Sequence, residues 1–243
     1  MIQDSVVVET DRQPLDNAVW WALSSHHQRH AEAFGRARRY HSAIAAFAAV
    51  DEYDEDSWDD LATLVSLSES ARCILFGGDP PAVLPDRWSV RTRGVGRQMI
   101  IRPEQLNAVE PVELRALTTD DVPQMLELVA LTKPGPFRAG TIELGRYYGH
   151  FEGEHLVAMA GERLSLRGFT EVSAVCTHPD ARGRGLASTL THHVAAGIIE
   201  RDEQPFLHVA ESNDEARRVY ERLGFCQRRL VDVVLAEHTR RPR

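Results

Sequence analysis

Several features that would classify a protein at once are missing from this sequence. Only three cysteines occur in 243 residues, Cys73, Cys176 and Cys226. They are far apart, odd in number and form no CxxC pair, so neither a disulfide framework nor a thiolate metal site is suggested. No apolar run approaches the roughly 20 residues of a membrane span. The start, Met1-Ile2-Gln3-Asp4, has no basic region, and Val6-Val7-Val8 is too short for a signal segment. A reducing, cytoplasmic setting is therefore expected, with no membrane contact. Positive charge is also short: 28 Lys and Arg against 36 Asp and Glu leave a net charge of −8. That balance argues against a nucleic-acid partner, which needs clustered cations against phosphate. It is compatible with a cationic substrate such as an amine.

What remains is an ordinary globular composition, 43% hydrophobic and 26% charged, in a chain long enough for two modest domains. Two halves meet near residues 102–111, which gives domains at 1–108 and 109–243. In the first, Asp16 can cap a helix bearing Val19, Trp20 and Leu23. A second helix is expected from Ser57, with Asp60 completing a capping box and Trp58, Leu61, Leu64 and Val65 inward. Cys73-Ile74-Leu75-Phe76 reads as a buried strand stopped by Gly77-Gly78-Asp79-Pro80-Pro81, and residues 97–101 as another. The pair His26/His30 lacks the glutamate of HExxH and reads as a solvated helix face. The acidic run Asp51-Glu52-Tyr53-Asp54-Glu55-Asp56 reads as a solvated loop favouring the next helix N-terminus.

The second half carries clearer patterns. Val112, Leu114 and Ala116 alternate with Glu113 and Arg115 as in a strand with one covered face. Thr119 can cap a helix bearing Val122, Met125, Leu126 and Val129, ended by Lys133-Pro134-Gly135-Pro136. Strands are expected over residues 156–160, 172–177, 206–210 and 230–235. Helices are expected after residue 186 and over residues 214–223. The fold class is α/β (α+β), a mixed and mostly antiparallel sheet flanked by helices.

Two stretches carry chemistry. The strand ending Val175-Cys176-Thr177 is stopped by His178-Pro179, and Arg182-Gly183-Arg184-Gly185-Leu186-Ala187 follows. Glycines free the backbone there, a helix N-terminus adds positive field, and Arg182 and Arg184 can contact phosphate directly. Together they suit a pyrophosphate. The run has neither a GKS/GKT ending nor GxGxxG spacing. The second stretch runs from Asn213 through Ala216 and Tyr220 to Gly224-Phe225. Locally it is a complete helix: Ser212 and Glu215 can form a capping box, Ala216, Val219, Tyr220 and Leu223 share a face, and Gly224 fits the left-handed C′ position.

The first run is similar to the [Gln/Arg]-x-x-Gly-x-[Gly/Ala] signature of the GNAT acyltransferases. The second resembles their Asn-x-x-Ala-x-x-x-Tyr-x-x-x-Gly-Phe segment, as in the RimI-like ribosomal-protein N-acetyltransferases. The resemblance covers roughly residues 111–235 and implies a GNAT fold. It also implies that acetyl-CoA is the acyl donor and that no metal is needed. Its pyrophosphate would lie against Arg182, Gly183, Arg184, Gly185, Leu186, Ala187 and Ser188. Its pantetheine arm would pair with Val175, Cys176 and Thr177, and Asn213 would contact CoA. Tyr220 falls on the position whose hydroxyl lies near the sulfur. The layout also resembles a group whose first domain is a degenerate, cofactor-free GNAT-like unit.

The reaction so implied is direct acetyl transfer to a primary amine of a small molecule or peptide, with Tyr220 protonating the departing sulfur. Two residues are candidates for the base. Glu171 begins the central strand, where some GNAT enzymes carry a catalytic glutamate; a strand-end surface carboxylate is the plainer reading. His208 occupies a position that is glutamate in RimI-like enzymes, and it is either the base or a hydrogen-bonded, half-buried imidazole. Cys176 reads as core, not as a nucleophile. Two other assignments remain: a non-catalytic acyl-CoA sensor, and the same fold with a longer acyl donor.

Overall fold

The computed structural model describes residues 13–68 and 70–239; the N-terminal residues on which the targeting expectation rests lie outside them. The described residues form one 11-stranded sheet. In the first half, β1 (Ala31–Phe34), β2 (Ala37–Tyr40) and β3 (Phe47–Val50) run antiparallel. Helix α2 (Glu55–Ser66) then crosses to β4 (Arg72–Phe76), parallel to β3, and β5 (Trp88–Ile100) follows. The second half repeats this plan. After the two-residue strand β6 (Arg115–Ala116) and helix α3 (Val122–Thr132), β7 (Tyr147–Glu152), β8 (His155–Leu166) and β9 (Phe169–Thr177) run antiparallel. Helix α4 (Leu186–Ile199) crosses to the parallel strand β10 (Gln204–Ala210), and α5 (Asp214–Leu223) leads to β11 (Cys226–His238).

The sheet order is β1-β2-β3-β4-β11-β5-β10-β9-β8-β7-β6. Each half thus lends its last strand to the other: β11 pairs with β4, and β5 pairs with β10. Residues 108 and 109 lie in the connection from β5 to β6, and the sheet runs unbroken across both halves. Helices α4 and α5 cover one face of the second half, where Leu190, Val194, Ile198, Tyr220 and Leu223 pack on Val172, Leu207 and Val209. Burying such an aliphatic side chain stabilises by about 1.5–3 kcal/mol. The other face is closed by helix α1 (Ala18–Ser24), and its core joins Tyr40, Phe47 and Phe76 to Leu164 and Phe206.

Several local expectations are corrected. Residue 16 does not cap α1; Asp16 accepts from Arg228 at 2.6 Å and Arg229 at 3.1 Å. Helix α2 starts at Glu55 because the Asp54 carboxylate accepts the Ser57 N–H, and Asp60 instead accepts the Arg36 N–H. Thr118 and Asp121, not Thr119, form the box ahead of α3. Asn213, not Ser212, caps α5 by accepting the Ala216 N–H at 3.1 Å. The alternation over residues 112–116 yields only the short strand β6; Val112 and Leu114 pack against the α4–α5 core instead of joining a longer ladder. The His26–His30 region is a turn with a short 3-10 segment, and His27 is buried, its Nδ1 2.7 Å from the Tyr40 hydroxyl.

Candidate active site

Strands β9 and β10 pair in parallel only from Phe169↔Gln204 to Val172↔Leu207. Beyond that point β9 stays with β8, and β10 stays with β5. The two therefore fork, leaving residues 173–177 and 208–210 on opposite sides of a groove. A bulge bends β9 at the fork: Ala174 and Val175 together face the single residue Ala160, because the ladder jumps from Met159↔Cys176 to Gly161↔Ser173. Ala174 adopts φ 52°, a left-handed conformation that costs a non-glycine residue on the order of 1–3 kcal/mol. Strain of this kind concentrates at functional sites.

At the far end of the groove β9 gives way to a short turn and then to α4. Gly183 and Gly185 have φ of 76° and 78°, so both need the freedom that glycine has. A Cβ at either would meet no atom within 4 Å, and the backbone here is open to a ligand. Gly185 is the N-cap of α4 and no side chain caps that end, so its first N–H groups and positive field are available to an anion. Arg182 and Arg184 are exposed. Arg182 Nε donates to the Thr177 carbonyl at 3.4 Å, and Arg184 pairs with Glu152 on β7. Leu186 is buried, while Ala187 and Ser188 are partly exposed on the first turn of α4.

Tyr220 lies on the inner face of α5, 7% exposed, 6.3 Å from the Phe225 ring. Burial, with Cys176 nearby, pushes its phenol well above the usual value. Among the described residues nothing hydrogen-bonds its hydroxyl. Cys176 is buried and its thiol is pushed up to about 11, also by burial; at neutral pH it is a protonated core group. Asn213 is exposed, its side-chain oxygen engaged in the α5 cap.

The FR47-like family model matches residues 147–233, which contain the fork, the turn and α5. Over 94% of this chain and 100% of the other, the sequence is 35% identical to a GNAT-family protein from Novosphingobium aromaticivorans, with a TM-score of 0.82. The chain belongs to the GNAT family. Lower in identity, at 16%, a GCN5-related N-acetyltransferase from Kribbella flavida shares the fold with a TM-score of 0.65, covering 92% of this chain and 95% of that one. A GCN5-related N-acetyltransferase-like protein from Streptococcus suis does so at 14% identity and a TM-score of 0.56, covering 90% and 92%. No curated protein matches the sequence.

Within this GNAT sheet, Glu171 is not the surface carboxylate its strand-end position suggested. It is fully buried, because the first half covers that face. Arg163 on β8 donates to it from Nε at 2.8 Å and Nη2 at 2.5 Å, and His208 Nδ1 lies 2.7 Å from its Oε1. Burial opposes its ionisation, but the Arg163 charge and these hydrogen bonds prevail and hold the carboxyl at about 2. His208 is the first residue past the fork on β10. Burial lowers its pKa, Arg163 lowers it further, and Glu171 pulls it upward. Arg163 itself lies over the rings of Phe47 and Phe76, 5.1 and 5.6 Å from their centroids.

Motif reading did not single out Arg163 or Gln98, the other residue on His208. Arg163 carries one signal that could have found it: it follows the apolar run of residues 156–161 in β8, where a cation needs a buried partner. Beside the fork, on the Glu171 face, Pro136, Phe137, Thr141, Tyr147, Ser173 and Ala174 line a narrow cleft. The Tyr147 hydroxyl is buried there without a hydrogen-bond partner.

The first half's counterpart of the GNAT turn is the connection from β3 to α2, and its charge is reversed. Asp51 and Asp54 stand there, held by Arg36 at 2.9 and 2.6 Å. Among the described residues no group of three or more His, Cys, Asp or Glu is arranged to hold a metal ion, and no helix is long and apolar enough to cross a membrane.

Proposed function

We propose that this GNAT-family chain transfers the acetyl group of acetyl-CoA directly to a primary amine of a small molecule or peptide. The observation that carries the reading is the forked β9–β10 pair, opening onto the glycine-rich turn and the uncapped N-terminus of α4. Pyrophosphate lies against residues 182–188 and is stabilised by open N–H groups, two arginines and the helix field. The pantetheine arm runs along Val175, Cys176 and Thr177, whose β10-facing edge has no strand partner. The acyl carbonyl accepts a hydrogen bond from the backbone near Val175. Asn213 borders the same groove.

An alkylammonium has an ordinary pKa of about 10.4, so reaching the free amine at pH 7 costs roughly 4–5 kcal/mol. The proton passes, directly or through one water, to His208, whose imidazolium the Glu171 carboxylate stabilises across Nδ1–H. Glu171, ionised at every working pH, orients the ring and does not itself act as the base. The amine attacks the thioester carbonyl, the C–S bond breaks, and Tyr220 gives its proton to the departing sulfur. The narrow cleft beside Ala174 favours a short acyl group, and the segment around residues 137–148, which leads into β7, shapes the acceptor side. We read residues 1–108 as the degenerate GNAT-like domain, bound to no nucleotide because Asp51 and Asp54 stand where phosphate would lie. Unpaired Cys73 and Cys176 fit a reducing, cytoplasmic setting.

The test is a panel of small amines and peptides incubated with acetyl-CoA and read by mass spectrometry. Acetylated amine is the expected product. Tight acetyl-CoA binding with no acetylated product from any amine would favour a sensor role, and preference for longer donors would replace the acetyl assignment.

A further inference from the structure

The His208–Glu171 pair is held on its other side by the first half of the chain. A carboxylate accepting from Nδ1 draws a second proton onto the imidazole. Opposing it, His208 Nε2 lies 3.1 Å from the side-chain nitrogen of Gln98, which stands across from it in the β10–β5 ladder. The two other partners of Gln98 fix which end of its amide faces the ring. Its nitrogen also donates to the Leu15 carbonyl at 2.9 Å, and its oxygen accepts from Arg228 Nη1 at 2.8 Å. Turned over, the amide would set oxygen against carbonyl and N–H against guanidinium. The NH2 group therefore faces Nε2, and Nε2 carries the lone pair.

We propose that Gln98, contributed by the exchanged strand β5, is a positioning residue that holds His208 neutral against the pull of Glu171 by donating to the Nε2 lone pair, a hydrogen bond that must open before that nitrogen takes a proton. An imidazolium would set Nε2–H against the Gln98 N–H, two donors facing one another. The charged groups facing the ring are Glu171 from β9 and Arg163 from β8, with Arg228 of β11 behind Gln98, anchored by Asp16. Phe76 of β4 and Phe206 of β10 cover the ring at 4.4 and 5.6 Å and bring no charge. Burial, and after it the Arg163 charge, also hold the His208 pKa below the ordinary imidazole. The catalytic part of the inference rests on the acetyl-transfer reading above; the charge state does not.

Imidazole nitrogen NMR on the full chain tests it, with the His208 signals assigned by their loss in His208→Asn. Gln98→Glu replaces the donor with an acceptor, and Gln98→Met removes the donor at similar length should the glutamate variant fail to fold. Wild-type His208 is expected to carry one ring proton at pH 7, on Nδ1. In Gln98→Glu its titration midpoint should rise by about one unit or more, a tenfold gain in the charged form; Gln98→Met should move it the same way by less. The low-pH limb of kcat/KM should rise with it. A doubly protonated wild-type ring at pH 7, or an unmoved titration in the folded variants, overturns the charge assignment. A moved titration with an unmoved limb overturns the role in the reaction. Because the titration is read without substrate, its failure is distinct from a failure to find acetyl transfer.

Discussion

Replacing Glu171 by Gln removes one charge from a buried pair and leaves the other behind. Arg163 has 10% of its side chain exposed and Glu171 none, and the two share two hydrogen bonds of 2.8 and 2.5 Å. Glutamine offers one acceptor oxygen where the carboxylate offered two, and its NH2 must face either the guanidinium or His208 Nδ1–H. An uncompensated buried charge costs about 3–5 kcal/mol. For a chain of this size that is a fall in Tm of roughly 6–20 °C. The double variant Glu171→Met/Arg163→Met removes both charges and should lose less than Glu171→Gln alone, since a buried pair often exchanges for apolar groups at little cost. Calorimetric melting of the three proteins decides it. A Glu171→Gln midpoint within about 2 °C of wild type would refute the buried pair as the anchor of this face.

Three further outcomes follow from the geometry. Tyr220→Phe keeps the ring and its packing, so the melting point should hold while turnover falls by about a hundredfold or more; normal turnover at every pH would make the tyrosine core alone. His27, buried against Tyr40, has its pKa pushed down to about 4, first by burial and then by His30. Its unfolded value is about 6.5, so the stability it contributes is complete above that pH and drains by about 3 kcal/mol as pH falls to 4. Urea midpoints across that window should flatten in His27→Gln, and identical slopes would contradict the assignment. Calorimetry with CoA should give one site per chain, and a second site surviving Gly185→Glu would contradict the reading of the β3–α2 connection.

Local signals explain what could be read from the sequence. The run at residues 182–187, the helix Asp214–Leu223 and Gly224 at φ 103° are each specified by residues within a few positions of one another. Where tertiary contacts decide, the pattern is silent. Residues 89–95 of β5 are exposed and carry no alternation, yet β11 pairs with the whole strand, because the ladder is satisfied by a segment more than a hundred residues away. Glu171 looks like a surface residue until Arg163 and His208 pair with it, both of them packed against the first-half ring Phe76. The caps were displaced by one to three residues because Asp54, Thr118 and Asn213 all lie beside another competent capping residue.

The central claim is that acetyl-CoA bound at the 182–188 turn supplies the group transferred to an amine. Amine-dependent thiol release, compared between wild type and Gly185→Glu, tests it most directly. The glutamate brings bulk, strain at φ 78° and a like charge to the pyrophosphate position. Wild type should release thiol only when amine is present, and folded Gly185→Glu should release none. Equal release from the two folded proteins would contradict the claim.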